Sequence, residues 1–416
     1  TPHDGTPTLS VRYADFETGE EKTFALDETG AVVGERADGF GHFMEHLHFY
    51  LHLPHTIGLF VVGLIGVALL SSVWSGVLSH PRIFRDAFRF RRGGTKRLEE
   101  ADLHNRLSVW GLPFHIVVPL TGAGLGLSTL VLGILAMAAF DGDLDRAGEV
   151  VGGPGVEANE AAMALPDVVP IVDGLLAEHP DATVARLGMR NIGTQGQSVQ
   201  VDLSTADDLT ITDRYIFDGD GTYLGSRGFS DGSLGNQVIG ALGPLHFGWW
   251  GEGVWAGLVK AAYVVRGLAL TFITSSGVAI WIARRKAKGK PVPGWEKAWI
   301  ALVWGQPVAY AAVAIAALLG AAGAGLSVYL VVCVLAFVPA VFLGQPGLSR
   351  MLRLVAAGMI AGTVILHAAV HGALPGDPAA FWLNLLLLLT AGVLAFSARG
   401  MFAGQAGRAA SEVPAE

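Results

Sequence analysis

TIGLFVVGLIGVALLSSVWSGVLS, residues 56–79, contains no Asp, Glu, Lys or Arg. Its length exceeds the roughly 20 residues that a helix needs to cross about 30 Å of hydrocarbon. The same is true of residues 107–140. Uncharged runs recur at 298–327, 328–349, 354–370 and 378–397. A further run, 254–283, is interrupted only by Lys260 and Arg266. With 51% apolar and 15% charged residues in 416, the chain cannot dress a water-soluble surface of that size. The expected fold class is an all-α polytopic membrane helix bundle of about seven spans, with small α+β domains outside the membrane. The single cysteine, Cys333, excludes an intramolecular disulfide and a Cys-rich metal site.

Charge sets the orientation. One short connection carries Arg82, Arg85, Arg89, Arg91, Arg92, Lys96 and Arg97. Another carries Arg284, Arg285, Lys286, Lys288, Lys290 and Lys297. Short basic loops stay in the cytoplasm. The acidic stretch 141–245 and the residues before 56 then lie outside. Arg350, Arg353, Arg399 and Arg408 fall inside, and the turn at 375–378 falls outside. The expected organisation is an outer segment over 1–55, a first transmembrane pair over 56–140 and an outer domain over 141–245. A second pair over 246–321, C-terminal helices over 322–400 and a cytoplasmic tail over 401–416 follow. The net charge of −8 argues against nucleic acid as a partner. The chain opens at Thr1 with its first residues already outside. An upstream helix, with or without part of a domain, is therefore expected before Thr1, in preference to a cleaved signal.

The outer segments read as small α+β units. Alternation suggests strands at 8–13, 22–26, 198–203 and 210–217, and an amphipathic helix at 168–178. Asp218-Gly219-Asp220-Gly221 signals a turn. An EF-hand would need a closing Glu that is missing here.

An internal repeat organises the chain. FALDETGAVVG at 24–34 resembles FDGDGTYLG at 217–225. Each precedes a Leu-His-Phe at the mouth of a span, at 47–49 and 245–247. Each of these spans ends in a basic loop. Each loop is followed by an aromatic-glycine-proline helix start, Trp110-Gly111-Leu112-Pro113 and Trp304-Gly305-Gln306-Pro307. Duplicated membrane units pack about a pseudo-two-fold axis with the functional site between them.

WSGVLSHPRIFRD at 74–86, DLHN at 102–105, WGLPFH at 110–115 and LTG at 120–122 together resemble the PepSY-associated transmembrane family. LHFG at 245–248 and WIARR at 281–285 fit as well. The resemblance covers roughly residues 8–290 and is weak after Lys297. It implies a bacterial inner-membrane protein whose outer segments are PepSY-like domains in the periplasm. Studied members are similar to b-type haem ferric-siderophore reductases. The family pattern begins with a span carrying a His-Arg-Trp-type motif. No such span stands in this sequence, in line with the expected upstream helix.

That implication turns attention to histidine. An ionisable group in a span is a functional candidate, and electron-transfer haem iron takes two strong axial ligands, commonly His or Met. His48 and His246 occupy equivalent places in the repeat and suit one haem near the outer surface, or else interfacial contact with headgroups. His104 and His115 lie eleven residues apart. On a continuous helix they would share a face about 16 Å apart, and so serve one or two haems. Their counterparts in the second unit are Ala298 and Ala309. His80, before Pro81, is a further ligand candidate or an interfacial cap. Arg266 needs an anionic partner, a haem propionate or a structural acceptor. His42, His46, His52 and His55 crowd the same outer mouth and suit a solvated helix better than a surface metal site. His367 and His371 form an i, i+4 pair without the Glu of an HExxH site. His3 and His179 read as surface residues.

Walker, GxSxG, HExxH and dinucleotide-binding sequences are missing. The leading expectation is therefore a haem-dependent transmembrane reductase with one or two b-type haems. It would take electrons from quinol or a cytoplasmic donor and act on a ferric siderophore or other iron chelate. The alternative is an accessory or scaffold subunit of a larger membrane complex, packing through its Ala- and Gly-rich late spans. A transporter is disfavoured, because the spans carry few acidic groups for ion coupling.

Overall fold

A computed structural model describes residues 9–14, 21–27, 31–35, 39–88, 96–204, 209, 212–229, 232–251, 253–372 and 378–411. The turn read at 17–19 lies outside the described residues, as do residues 28–30, 210–211 and His3.

Strands β1 (Leu9–Ala14), β2 (Glu21–Leu26) and β3 (Val32–Glu35) form an antiparallel sheet in that order. Helix α1 (Phe40–Tyr50) follows, then α2 (His55–Ser79) and the single turn α3 (Ile83–Asp86). Next come α4 (Lys96–Trp110), α5 (Leu112–Gly126), α6 (Ser128–Ala139) and α7 (Leu144–Gly152). The four-stranded domain contains α8 (Val169–Glu178), β4 (Thr183–Arg190), β5 (Ser198–Ser204), β6 (Asp213–Asp218) and β7 (Tyr223–Arg227). Helices α9 (Leu234–Phe247), α10 (Gly253–Ala287), α11 (Pro293–Leu318), α12 (Gly325–Leu335), α13 (Pro339–Phe342), α14 (Gln345–His371) and α15 (Pro378–Ser411) complete the chain.

Among the described residues, six helices are long and apolar enough to cross a membrane, or seven if α4 and α5 together make one bent span. The fold is thus a polytopic helical membrane protein with small antiparallel sheets. The described residues fall into two compact units. One is drawn from 49–91 and 105–273, the other from 2–48, 92–104 and 274–416.

In the first unit, α2 stops at His80 because Pro81 cannot continue a helix without losing a backbone bond. Its serines return their hydroxyls to the preceding turn, Ser71 to Val67 O and Ser72 to Ala68 O, both at 2.8 Å. A hydroxyl in an apolar span is satisfied in this way without a partner helix. Helix α2 crosses α5 on glycine. A Cβ at Gly126 would sit 2.8 Å from the Gly63 Cα, and one at Gly66 would sit 3.1 Å from the Ala123 backbone nitrogen. Small residues let helix backbones approach where lipid offers no hydrophobic drive to association.

The four-stranded antiparallel sheet runs β4-β5-β6-β7. Strand β5 turns Val199, Val201 and Leu203 into a core completed by Leu175 of α8 and Phe217 of β6. The Asp218 turn forms as read, with Asp218 Oδ1 accepting from the Asp220 and Thr222 amides at 3.0 and 2.8 Å. Asp202 is buried on β5. Arg186 reaches its Oδ2 at 2.9 Å and Arg214 its Oδ1 at 3.0 Å, while the Gln200 amide donates to Oδ1 at 2.9 Å. Removing one partner of a buried pair leaves the other uncompensated. Asp202→Ala is therefore expected to destabilise this domain by about 3 kcal/mol. Arg186 is mostly exposed, so most of that loss comes from Arg214. Thermal unfolding of the whole chain followed by near-ultraviolet circular dichroism checks it. An unchanged first transition would refute the assignment.

In the second unit, α11, α14 and α15 pack through Val308, Ala311, Ala356, Ala357, Ile360, Ala391 and Leu394. Gly305 admits Ala336, whose Cβ would lie 2.7 Å from a Cβ at 305. Phe43 of α1 packs on Gly325 and Tyr329. Arg353 stacks 4.1 Å over the Trp304 ring.

The structure corrects three readings. The run 107–140 is not one helix. Gly111 ends α4, and the segments Ala101–Trp110 and Leu112–Gly126 meet at 71°. His104 and His115 therefore do not share a helix face, because each belongs to its own segment. Trp304-Gly305-Gln306-Pro307 is no helix start either, since it lies inside α11, which begins at Pro293. Finally, the Leu-His-Phe sequences close the separate helices α1 and α9 rather than opening the spans.

Candidate functional site

Helix α5 carries the most constrained histidine. Gly111 is its N-cap and Pro113 stands in its first turn, where a proline loses no bond that a helix would have made. His115, one turn in, is 2% exposed. Its ring folds back over Gly111 so closely that any side chain at 111 would overlap it. The His115 Nδ1 lies 3.3 Å from the Ser108 carbonyl. A carbonyl only accepts, so the proton sits on Nδ1 and the lone pair on Nε2. That Nε2 is buried and makes no hydrogen bond among the described residues. Arg266, on α10, acts on this ring both through its positive charge and through its backbone carbonyl. No carboxylate pairs with Arg266 among the described residues.

Histidine 246 closes α9 against the same helix. Its Nδ1 lies 3.1 Å from both the Val118 carbonyl and the Thr121 hydroxyl. Thr121 gives its own proton to Val117 O at 2.7 Å, so it accepts from His246. This ring too is the Nδ1–H tautomer, with its lone pair on Nε2. It rests on Gly122, where a Cβ would come within 2.7 Å of Cε1. Gly248 then turns the chain left-handed at φ +66, and Tyr263 of α10 donates to the Leu245 carbonyl.

Nδ1–H donation to a carbonyl is how metal-binding imidazoles are oriented and made more basic. Two histidines on or against α5 are held in this way. His104 is placed differently. Its Nδ1 meets the buried Ser276 hydroxyl of α10 at 2.9 Å, and Gly277 lies beneath its Cε1. Arg266 and Ser276 are ten residues apart on α10, about 15 Å of helix rise.

His48 stands on α1. Part of the residue stays exposed, but the atoms packed around it lower its pKa by desolvation, which favours the neutral, ligand-competent imidazole. His80 caps the end of α2 through its backbone. The rings of His42 and His46 lie 3.9 Å apart and those of His367 and His371 4.9 Å apart. Asn384 meets His367 Nδ1 at 3.2 Å. Among the described residues no three His, Cys, Asp or Glu side chains converge on a metal. His179 accepts from or donates to the Tyr215 hydroxyl at 2.9 Å and belongs to the sheet domain.

The sequence reading missed Gly111, Gly122, Thr121 and Ser276, which seat and orient the rings. A threonine and two glycines close to a histidine in one apolar run were the available signal.

The family described as PepSY-associated TM region matches residues 2–284. An uncharacterized protein of Pseudomonas aeruginosa is 31% identical over 250 residues, which is 58% of this chain and 62% of that relative. The match thus spans less than two thirds of the relative's length.

Proposed function

The chain belongs to the PepSY-associated TM region family, and from that premise we propose that it is a b-type haem oxidoreductase of the bacterial inner membrane. It moves electrons from quinol or a cytoplasmic donor to ferric iron, free or chelated by a siderophore, on the periplasmic side. The basic loops face the cytoplasm and the four-stranded domain the periplasm.

One observation carries the reading. His115 holds its Nε2 buried and outside hydrogen-bond geometry in an apolar span, with the Arg266 backbone as the polar group acting nearby, and such an atom is costly unless something binds it. The donor set fits a haem. Imidazole is a standard axial ligand, the tautomer is the right one, and glycine clears the ring's flank. His115 and His246 are the best-oriented ligands, with His48, His104 and His80 as further candidates. Arg266 would neutralise a propionate. Haem, when bound, supplies a one-electron couple. The chain's own residues fix the imidazole protons on Nδ1, exclude water around His115 and hold a positive charge beside it. Iron leaves its chelate after reduction because hard oxygen donors hold Fe³⁺ far better than Fe²⁺.

A dithionite-reduced minus oxidised visible spectrum of the purified chain, with pyridine haemochrome quantitation, tests this. Sharp b-type α and Soret difference bands are expected. A featureless spectrum from haem-supplied cells would reject the oxidoreductase and leave an accessory subunit of a larger complex as the better account.

A further inference from the structure

The basic end of α10 carries a feature that electron transfer does not use. Trp281, Arg285 and Lys288 recur at i, i+4 and i+7 and so share one helix face, with Arg284 at its edge. Helix α10 stops at Ala287, and Gly289 adopts φ +70. The chain turns back there, and the Lys290 amide donates to the Arg285 carbonyl at 3.0 Å. That return sets Lys290 beside the same face. Trp281, Arg284, Arg285, Lys288 and Lys290 together line a cleft of about 310 Å³. The Arg285 guanidinium lies 5.4 Å over the Trp281 ring, and its Nε is buried without a hydrogen-bond partner among the described residues. Among the described residues no carboxylate lines the cleft.

The positive-inside bias accounts for the sign of this loop. It does not account for four cations gathered around one concavity, where they repel one another. Tryptophan prefers the headgroup level of a bilayer, and both Trp281 and Trp295, 70% exposed at the start of α11, stand beside this loop. The forked N–H donors of a guanidinium are matched to the paired oxygens of a phosphate.

We infer that this cleft binds the phosphodiester head group of an anionic phospholipid. The lipid's chains run along the exposed face of α10, and its phosphate neutralises Arg285 and Lys290 first. The site is independent of haem and stands or falls separately from the electron-transfer reading.

The test uses the full chain in detergent micelles doped with phosphatidylglycerol or with phosphatidylcholine, and native mass spectrometry counts the retained lipid. Phosphatidylglycerol is expected to be retained in preference to phosphatidylcholine. R285Q/K290Q is expected to weaken that retention roughly thirtyfold, from about 1 kcal/mol per basic residue at a membrane surface. R82Q/R85Q removes the same charge from the other basic connection and is expected to leave retention unchanged. Should R285Q/K290Q fail to fold, K290Q alone, at an exposed side chain, carries the test with a loss of roughly fivefold. Equal losses in R285Q/K290Q and R82Q/R85Q would overturn the site in favour of diffuse charge. Displacement of the lipid by millimolar inorganic phosphate would overturn the lipid assignment and leave a soluble phosphate as the ligand.

Discussion

Replacing His115 by alanine is expected to remove the b-type signal of the site that His115 serves, while the protein still folds. The residue is 2% exposed and hydrogen-bonds only weakly, at 3.3 Å, to a carbonyl of the preceding helix. Its loss leaves a ring-sized space over Gly111 but strands no buried donor. The stability cost is therefore the modest one of an unfilled cavity, about 1–3 kcal/mol. If His115 holds haem iron, as proposed, alanine would offer nothing to replace that ligand. Two further measurements separate a ligand from a packing residue. Free imidazole added to the alanine variant should restore the spectrum by entering the vacated space. His115→Met should keep the cofactor but raise its midpoint potential, because thioether ligation favours the reduced iron. A haem content and difference spectrum in His115→Ala equal to those of the parent would end its role as a ligand.

Gly126→Val is expected to damage the packing of the first unit severely. A Cβ at 126 meets the Gly63 Cα and nitrogen at 2.8 Å and the Leu59 carbonyl oxygen at 2.9 Å. All three are backbone atoms of α2, so no side chain can rotate away. Relief requires the two helices to separate along their crossing, and the cost is at or above the upper end of overpacking penalties, about 3 kcal/mol. Gly133→Val on α6 is the control, because nothing stands within 4 Å of that position. Fluorescence-detected size exclusion and the thermal midpoint in detergent should show loss of monodisperse protein for Gly126→Val and little change for Gly133→Val. Equal behaviour of the two would refute the close crossing.

The spans were legible because a charge-free run of helix length has few other readings. The strands of the sheet domain were partly legible. Val199, Val201 and Leu203 alternate cleanly, whereas Thr183–Arg190 and Tyr223–Arg227 carry no such alternation and went unread. The two Trp-Gly-x-Pro sequences show where local sequence stops deciding. Gly111 caps a new helix and the chain bends by 71°. Gly305 stays helical and uses its missing side chain to admit Ala336 from a neighbouring helix. Tertiary packing made that choice, and four residues do not encode it. Of the candidate site, the histidines could be read from the chain alone, as rare polar groups in apolar surroundings. Their tautomers could not, because Ser108 and Val118 act through backbone carbonyls that every residue possesses.

The joint between α1 and α2 has a consequence of its own. Leu51 and His52 both take left-handed backbone angles, φ +55 and +53, to turn the chain from one helix into the next. The corresponding joint between α9 and α10 uses Gly248, Gly251 and Gly253 at positive φ. The first copy therefore carries a backbone cost of about 1–2 kcal/mol at each of two residues, which the second copy escapes. If the halves descend from one duplicated ancestor, the residues of this joint have been replaced since the duplication. What the two joints share is a left-handed backbone rather than an amino acid, and an alignment scored residue by residue would not register that likeness.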